Sequence, residues 1–164
     1  MELDYIKIAT FGKELLNKKS LREGVPLISK YAKDVIGANR CSIFIYNRDE
    51  NTLWTTLADN VEKIIIPADK GIVGETLEAK KPLLVNDVRS NPLFFSEIDE
   101  DTGYHTKNLI TAPVFNSQRK IIGVLELLNK EAGFDEQDEK FMIFFAHYIS
   151  GYIELASLYQ HQRE

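Results

Sequence analysis

LITAPVF at residues 109–115 and IIGVLELL at residues 121–128 are the stretch on which the fold turns. Both runs are rich in β-branched and long aliphatic side chains, and the polar Asn116-Ser117-Gln118-Arg119 between them makes a turn, so the pair reads as a β-hairpin. Upstream, Cys41 to Tyr46, Leu53 to Leu57 and Lys63 to Ile66 are further β-rich runs divided by polar connections, which predicts an antiparallel meander. Leu83 to Val85 is a short strand beyond a short helix over 72–79, which ends before Pro82 because a residue preceding proline is pushed out of the α region. Residues 86–107 form a long loop rich in Asn, Asp, Pro and Thr, and the apolar Leu93-Phe94-Phe95 inside it favours a folded lid.

Farther out lie the helices. Leu3, Ile6, Phe11 and Leu15 recur at three- and four-residue spacings and predict a first helix over Leu3 to Leu16. A second runs from Leu21 to Ile36 and stops at Gly37. The segment from Asp135 carries Phe141, Phe144, Phe145, Tyr148, Ile149, Tyr152, Leu155, Ala156 and Tyr159 in a broad apolar stripe, and Asp135 and Asp138 suit the positive end of a helix dipole. This order predicts an α+β fold: an antiparallel sheet of about six strands, terminal helices on one face, the short helix and the lid on the other.

With 164 residues, 44% of them hydrophobic, the chain is the length of one ordinary domain and can bury a core of its own. A net charge of −5 argues against nucleic acid as a partner, since phosphate-backbone binding draws on clustered Lys and Arg. Cys41 is the single cysteine, so no intrachain disulfide forms, and its apolar surroundings predict a buried thiol in a reducing compartment. Met1-Glu2-Leu3-Asp4 lacks the order of a signal peptide, and the longest mostly apolar stretch, Phe141 to Ile153, is too short to span a bilayer. The expectation is a cytoplasmic domain without membrane insertion.

Gly71-Ile72-Val73-Gly74, Pro92-Leu93-Phe94, Thr102-Gly103-Tyr104, and Asn129-Lys130 followed by Phe134 and Asp138-Glu139 together resemble the GAF domains of cyclic-nucleotide phosphodiesterases and adenylyl cyclases. The signature of that family is Asn-Lys, a variable gap, Phe, three residues, then Asp-Glu, and it is complete here. The resemblance implies a GAF domain over residues 21–164, with residues 1–20 as a dimer or linker helix. It also implies that Lys130 and Asp138 pair to tie the last strand to the final helix, with Phe134 packed beneath, so that the signature is structural.

In ligand-binding relatives the nucleotide lies between sheet and lid, and the resemblance puts Ser42, Ala58, Asp59, Ile72, Val73, Phe95, Asp99, Thr102, Thr106 and Glu126 around it. Ile72 and Val73 open a helix, so their N–H groups suit a cyclic phosphate, although a plain helix start explains them equally well. Asp99, Thr102 and Thr106 fall on one side if their segment is helical; a solvated acidic loop is the alternative. Glu126 interrupts the apolar face of a central strand and needs a partner, either a ligand donor or a neighbouring Lys or Arg. Ser42 is also explained by a bond to backbone. His105 has no second His or Cys near it, and no metal is assigned.

The resemblance implies a regulatory domain for cAMP or cGMP that relays its signal to an output domain outside this chain, with no cofactor required. A dimerisation and relay module without a nucleotide, or a sensor of another metabolite, is the alternative. Catalysis is not expected and no catalytic residue is named. The methionine sulfoxide reductase chemistry of a few relatives needs cysteines that exchange disulfides, and one Cys supplies no resolving partner. A parallel homodimer through the first and last helices is expected, because Ile149, Tyr152 and Ile153 do not all fit against one sheet. Relatives that bind cGMP place an aromatic ring where Ala58 stands, so weaker nucleotide affinity is expected here; Trp54, on the same strand face, is too far to replace it.

Overall fold

The computed structural model of the chain describes residues 3–56, 63–94 and 104–163. Helix α1 (Tyr5–Leu16) starts where the Asp4 carboxylate accepts the N–H groups of Ile6 and Lys7. Helix α2 (Leu21–Ile36) is capped by the Ser20 hydroxyl and ends at Gly37, whose φ of 82° needs a residue without a Cβ. Strands β1 (Arg40–Asn47), β2 (Thr52–Thr56) and β3 (Lys63–Pro67) follow. Helix α3 (Gly71–Ala79), strand β4 (Leu83–Val85), strands β5 (Leu109–Phe115) and β6 (Ile121–Leu128), and helix α4 (Glu136–Arg163) complete the described elements, with a 3₁₀ turn at Val88–Ser90.

The six strands form one sheet in the order β3-β2-β1-β6-β5-β4. Every pairing is antiparallel, and the central β1–β6 pair sets Ser42 opposite Glu126. Strand alternation divides the sheet's side chains. Ile43, Ile45, Ile110, Ala112, Leu125 and Leu127 meet α2 and α4 in one continuous core. Phe44, Leu53, Ile66, Val124 and, beside them, Leu109 point the other way, towards α3. The sheet is therefore sandwiched between the terminal helices and α3, as the sequence predicts.

Aromatic contacts fasten the helical layer. Phe11 of α1 stacks on Tyr31 of α2 with ring centroids 4.5 Å apart, and Phe145 of α4 lies 5.4 Å from Tyr31. Tyr152 of α4 crosses α2 at Gly24, where a Cβ would collide with the phenol, and its hydroxyl donates to the Ser20 carbonyl at 2.7 Å.

Three expectations are corrected here. In α1 the buried residues are Ile8, Phe11 and Leu15, while Ile6 is 80% exposed, because the helix starts at Tyr5 and turns Ile6 outward. Ile149 and Ile153 are fully buried and Tyr152 is bonded to α2, since α4 packs against both the sheet and the helices before it. The apolar residues that α4 does expose are Ile143, Phe144, Tyr148, Leu155 and Leu158. Trp54 packs with the helical core and not with the α3 side, so it faces away from any ligand there. Helix α4 is also long and apolar enough to cross a bilayer over Glu136–Leu158, and Met142, Phe145, Ile149 and Ile153 on it are buried against the protein.

Candidate functional site

The α3 face of the sheet carries a polar row. In register across three strands stand Ser42 on β1, Glu126 on β6 and Thr111 on β5. The hydroxyls of Thr111 and Thr76 are hydrogen-bonded, Thr76 donates onward to the Ile72 carbonyl at 2.8 Å, and Thr111 accepts the Leu83 N–H at 3.3 Å. These bonds dock α3 on the sheet and satisfy two buried hydroxyls that would otherwise be costly.

Two glycines set the start of α3. Gly71 has a φ of 72°, and a Cβ on Gly74 would lie 2.7 Å from the Ala68 carbonyl oxygen. The cap residue Lys70 is extended and caps the helix with no side chain. The Lys70 side chain therefore accepts none of the first-turn N–H groups, which lie at the positive end of the helix dipole.

Beside this turn is a cavity of about 60 Å³ lined by Phe44, Lys70, Ile72, Val73, Thr106 and Glu126, among others. Four carried-over residues, Ile72, Val73, Thr106 and Glu126, thus meet at one place. Thr106 and Glu126 are buried, and both are engaged by other groups of the protein. Ser42 stands opposite Glu126 on the neighbouring strand but does not line the cavity. Ala58, Asp59, Phe95, Asp99 and Thr102 lie outside the described residues. Among the described residues no group of His, Cys, Asp and Glu is placed to hold a metal, and His105 is bonded to Arg89 at 3.3 Å.

The signature residues surround the far end of β6. Lys130 donates to both carboxylate oxygens of Asp138 at 2.9 and 2.7 Å, and Asp138 is 1% exposed. Asp135 and Asp138 exchange bonds between each one's N–H and the other's carboxylate, which caps α4; the Asp138 N–H holds the Asp135 carboxyl below the usual carboxylate range. Phe134 is buried, and its N–H and carbonyl are both held by the Asn86 carboxamide. Glu139 sits half-buried in the first turn of α4. Asn129 has a φ of 59° and binds the chain that leads into β5.

The GAF domain family matches residues 20–153. The chain belongs to the GAF domain family. It is 31% identical over 146 residues to a dual 3',5'-cyclic-AMP and -GMP phosphodiesterase 11A of Takifugu rubripes, a match covering 79% of this chain and 16% of that protein. The fold is shared with the GAF domain of a phosphoenolpyruvate-protein phosphotransferase from Coxiella burnetii at a TM-score of 0.81 and 18% identity, over 95% of this chain and 96% of that one. It is also shared with the free methionine-R-sulfoxide reductase from Neisseria meningitidis, solved with its substrate, at 0.74 and 15% identity, over 96% and 95%. GAF domains are regulatory small-molecule sensors, and some proteins of this fold are enzymes.

This GAF domain's cysteine is on the wrong side for a pocket chemistry. Cys41 packs with the helical core, and burial pushes its thiol up to about 12 despite a bond from Ser29. Sequence reasoning missed Thr76, Thr111 and Asn86, and gave Tyr104 no role beyond the motif that carries the resemblance. The two threonines are polar interruptions of apolar runs, a signal of the same kind that singled out Glu126.

Proposed function

We propose that this chain is a regulatory GAF sensor that binds a small molecule, first cAMP or cGMP, and relays the signal to an output domain or partner outside it. What supports this reading is the convergence of the first turn of α3 at Ile72 and Val73 with Thr106 and Glu126 around one cavity. Backbone N–H groups at a helix start suit a cyclic phosphate, while a carboxylate and a hydroxyl suit a ribose or a base edge. The 31% identity to a dual cyclic-nucleotide phosphodiesterase adds to it. The domain is not an enzyme in this reading, because a lone thiol with a pKa of about 12 is a poor nucleophile and faces the helices.

The protein is read as cytoplasmic and as a homodimer through α1 and α4. Exposed Tyr5, Ile6 and Leu16 on α1 and Phe144, Leu155 and Leu158 on α4 are the apolar side chains such a contact would cover. A second reading is a relay module or a sensor of another metabolite. It is favoured by the size of the described cavity, about 60 Å³, against the several hundred Å³ usual for ligand sites.

Calorimetry with cAMP and cGMP separates the readings. The expected result is saturable binding of at least one nucleotide, tightened about tenfold by Ala58→Phe through base stacking. If neither nucleotide binds either protein, the second reading takes its place.

A further inference from the structure

Thr106 reaches the cavity on the segment just before β5, which begins at Leu109, and the Val88 N–H donates to the Lys107 carbonyl there at 3.1 Å. One side chain adds a hold on either side of Thr106. The Asn129 carboxamide accepts the Lys107 N–H at 2.7 Å and donates to the His105 carbonyl at 2.8 Å, so it grips the backbone on both sides of Thr106. This is a two-point hold of the kind one strand residue offers another, and it fixes the backbone that carries Thr106.

An amide can hold in this way only if it is kept from rotating. Its second N–H bond goes to the Tyr104 hydroxyl at 3.0 Å, and that hydroxyl donates in turn to Asn39 Oδ1 at 2.7 Å. The Tyr104 ring is covered by the Arg40 guanidinium, 3.8 Å from its centroid. Tyr104 is thus tied to the start of β1 and orients the amide at the end of β6.

We propose that Tyr104 is a positioning residue of the ligand site: acting through Asn129, it fixes the backbone that presents Thr106 to the cavity. This rests on the nucleotide reading above only for the identity of the ligand. It also accounts for the asparagine of the signature, whose role is to seat Thr106, while the lysine, phenylalanine and aspartate fasten α4.

The test uses Tyr104→Phe, which keeps the ring on Arg40 and removes the hydroxyl, alone and combined with Thr106→Ala. Calorimetry with cAMP and cGMP is expected to show about fivefold weaker binding for Tyr104→Phe and no further loss when it is added to Thr106→Ala. Unchanged affinity, or losses that add, would overturn the proposal. Hydrogen exchange without ligand is the second arm: the Lys107 amide should exchange about fivefold faster in Tyr104→Phe, while the core amide of Leu125 stays as it is. Unchanged exchange at Lys107 overturns the proposal even if no nucleotide binds, and absent nucleotide binding with faster Lys107 exchange sinks only the nucleotide reading.

Discussion

The two faces of one sheet are built to different rules. On the helix face Ile43, Ile45, Ile110, Ala112, Val114, Leu125 and Leu127 of β1, β5 and β6 are buried and apolar, and the aromatic rings of α1, α2 and α4 close over them. On the α3 face the same strands alternate to Phe44, Val124 and Leu109 but also present Ser42, Glu126 and Thr111 in one row. Buried polar groups add little net stability and cost much when a partner is lost, so the helix face carries more of the domain's stability. Under the proposed function the α3 face carries recognition.

The largest expected effect is on the helix face. Phe145→Ala should cost roughly 3–5 kcal/mol of unfolding free energy by chemical denaturation, because the ring is fully buried among other rings. A loss below about 1 kcal/mol would break the comparison, since the core would then have little to do with that face. Next is Thr111→Val, which removes the bond to the Thr76 hydroxyl and the side-chain acceptor of the Leu83 N–H while Thr76 keeps its bond to the Ile72 carbonyl, and should cost about 1–3 kcal/mol. Adding Thr76→Val should restore part of that loss, and strictly additive costs would argue against the pair.

A smaller effect sharpens the helix face by pH. Burial raises Cys41 from 9.0 and Tyr152 from 10.0, each to about 12. Both are acids favoured in their protonated form by folding, so their contribution is whole below the unfolded-state values and is lost as pH rises through about 12. The thermal midpoint should therefore fall across this alkaline range, less steeply in Tyr152→Phe. For the same reason the Cys41 thiol should react with a disulfide reagent at pH 8 far more slowly in the native protein than in denaturant; equal rates would show an accessible thiol.

How much of this was legible follows from the range of the forces involved. The strands and α2 are written in local periodicity and in stops such as Gly37, and the sheet follows from their order. The outward side of α4 is not, because Ile149, Tyr152 and Ile153 belong to an apolar arc shared between the sheet and two earlier helices. Trp54 turns to the helical core because it alternates with Leu53 along β2, and Ala58, with which alternation groups it, lies outside the described residues. At the site, Ile72, Val73, Thr106 and Glu126 came through family resemblance. The bonds of Asn129 to Tyr104, His105 and Lys107 join residues more than twenty positions apart, and no local pattern announces them.

The most direct test is amide chemical-shift mapping of the labelled protein during titration with cAMP and with cGMP. The account predicts saturable shifts at Ile72, Val73, Thr106 and Glu126 on the α3 face, with Ile28 and Phe145 on the helix face unmoved. No saturable shift with either nucleotide, or shifts confined to the helix face, would contradict it.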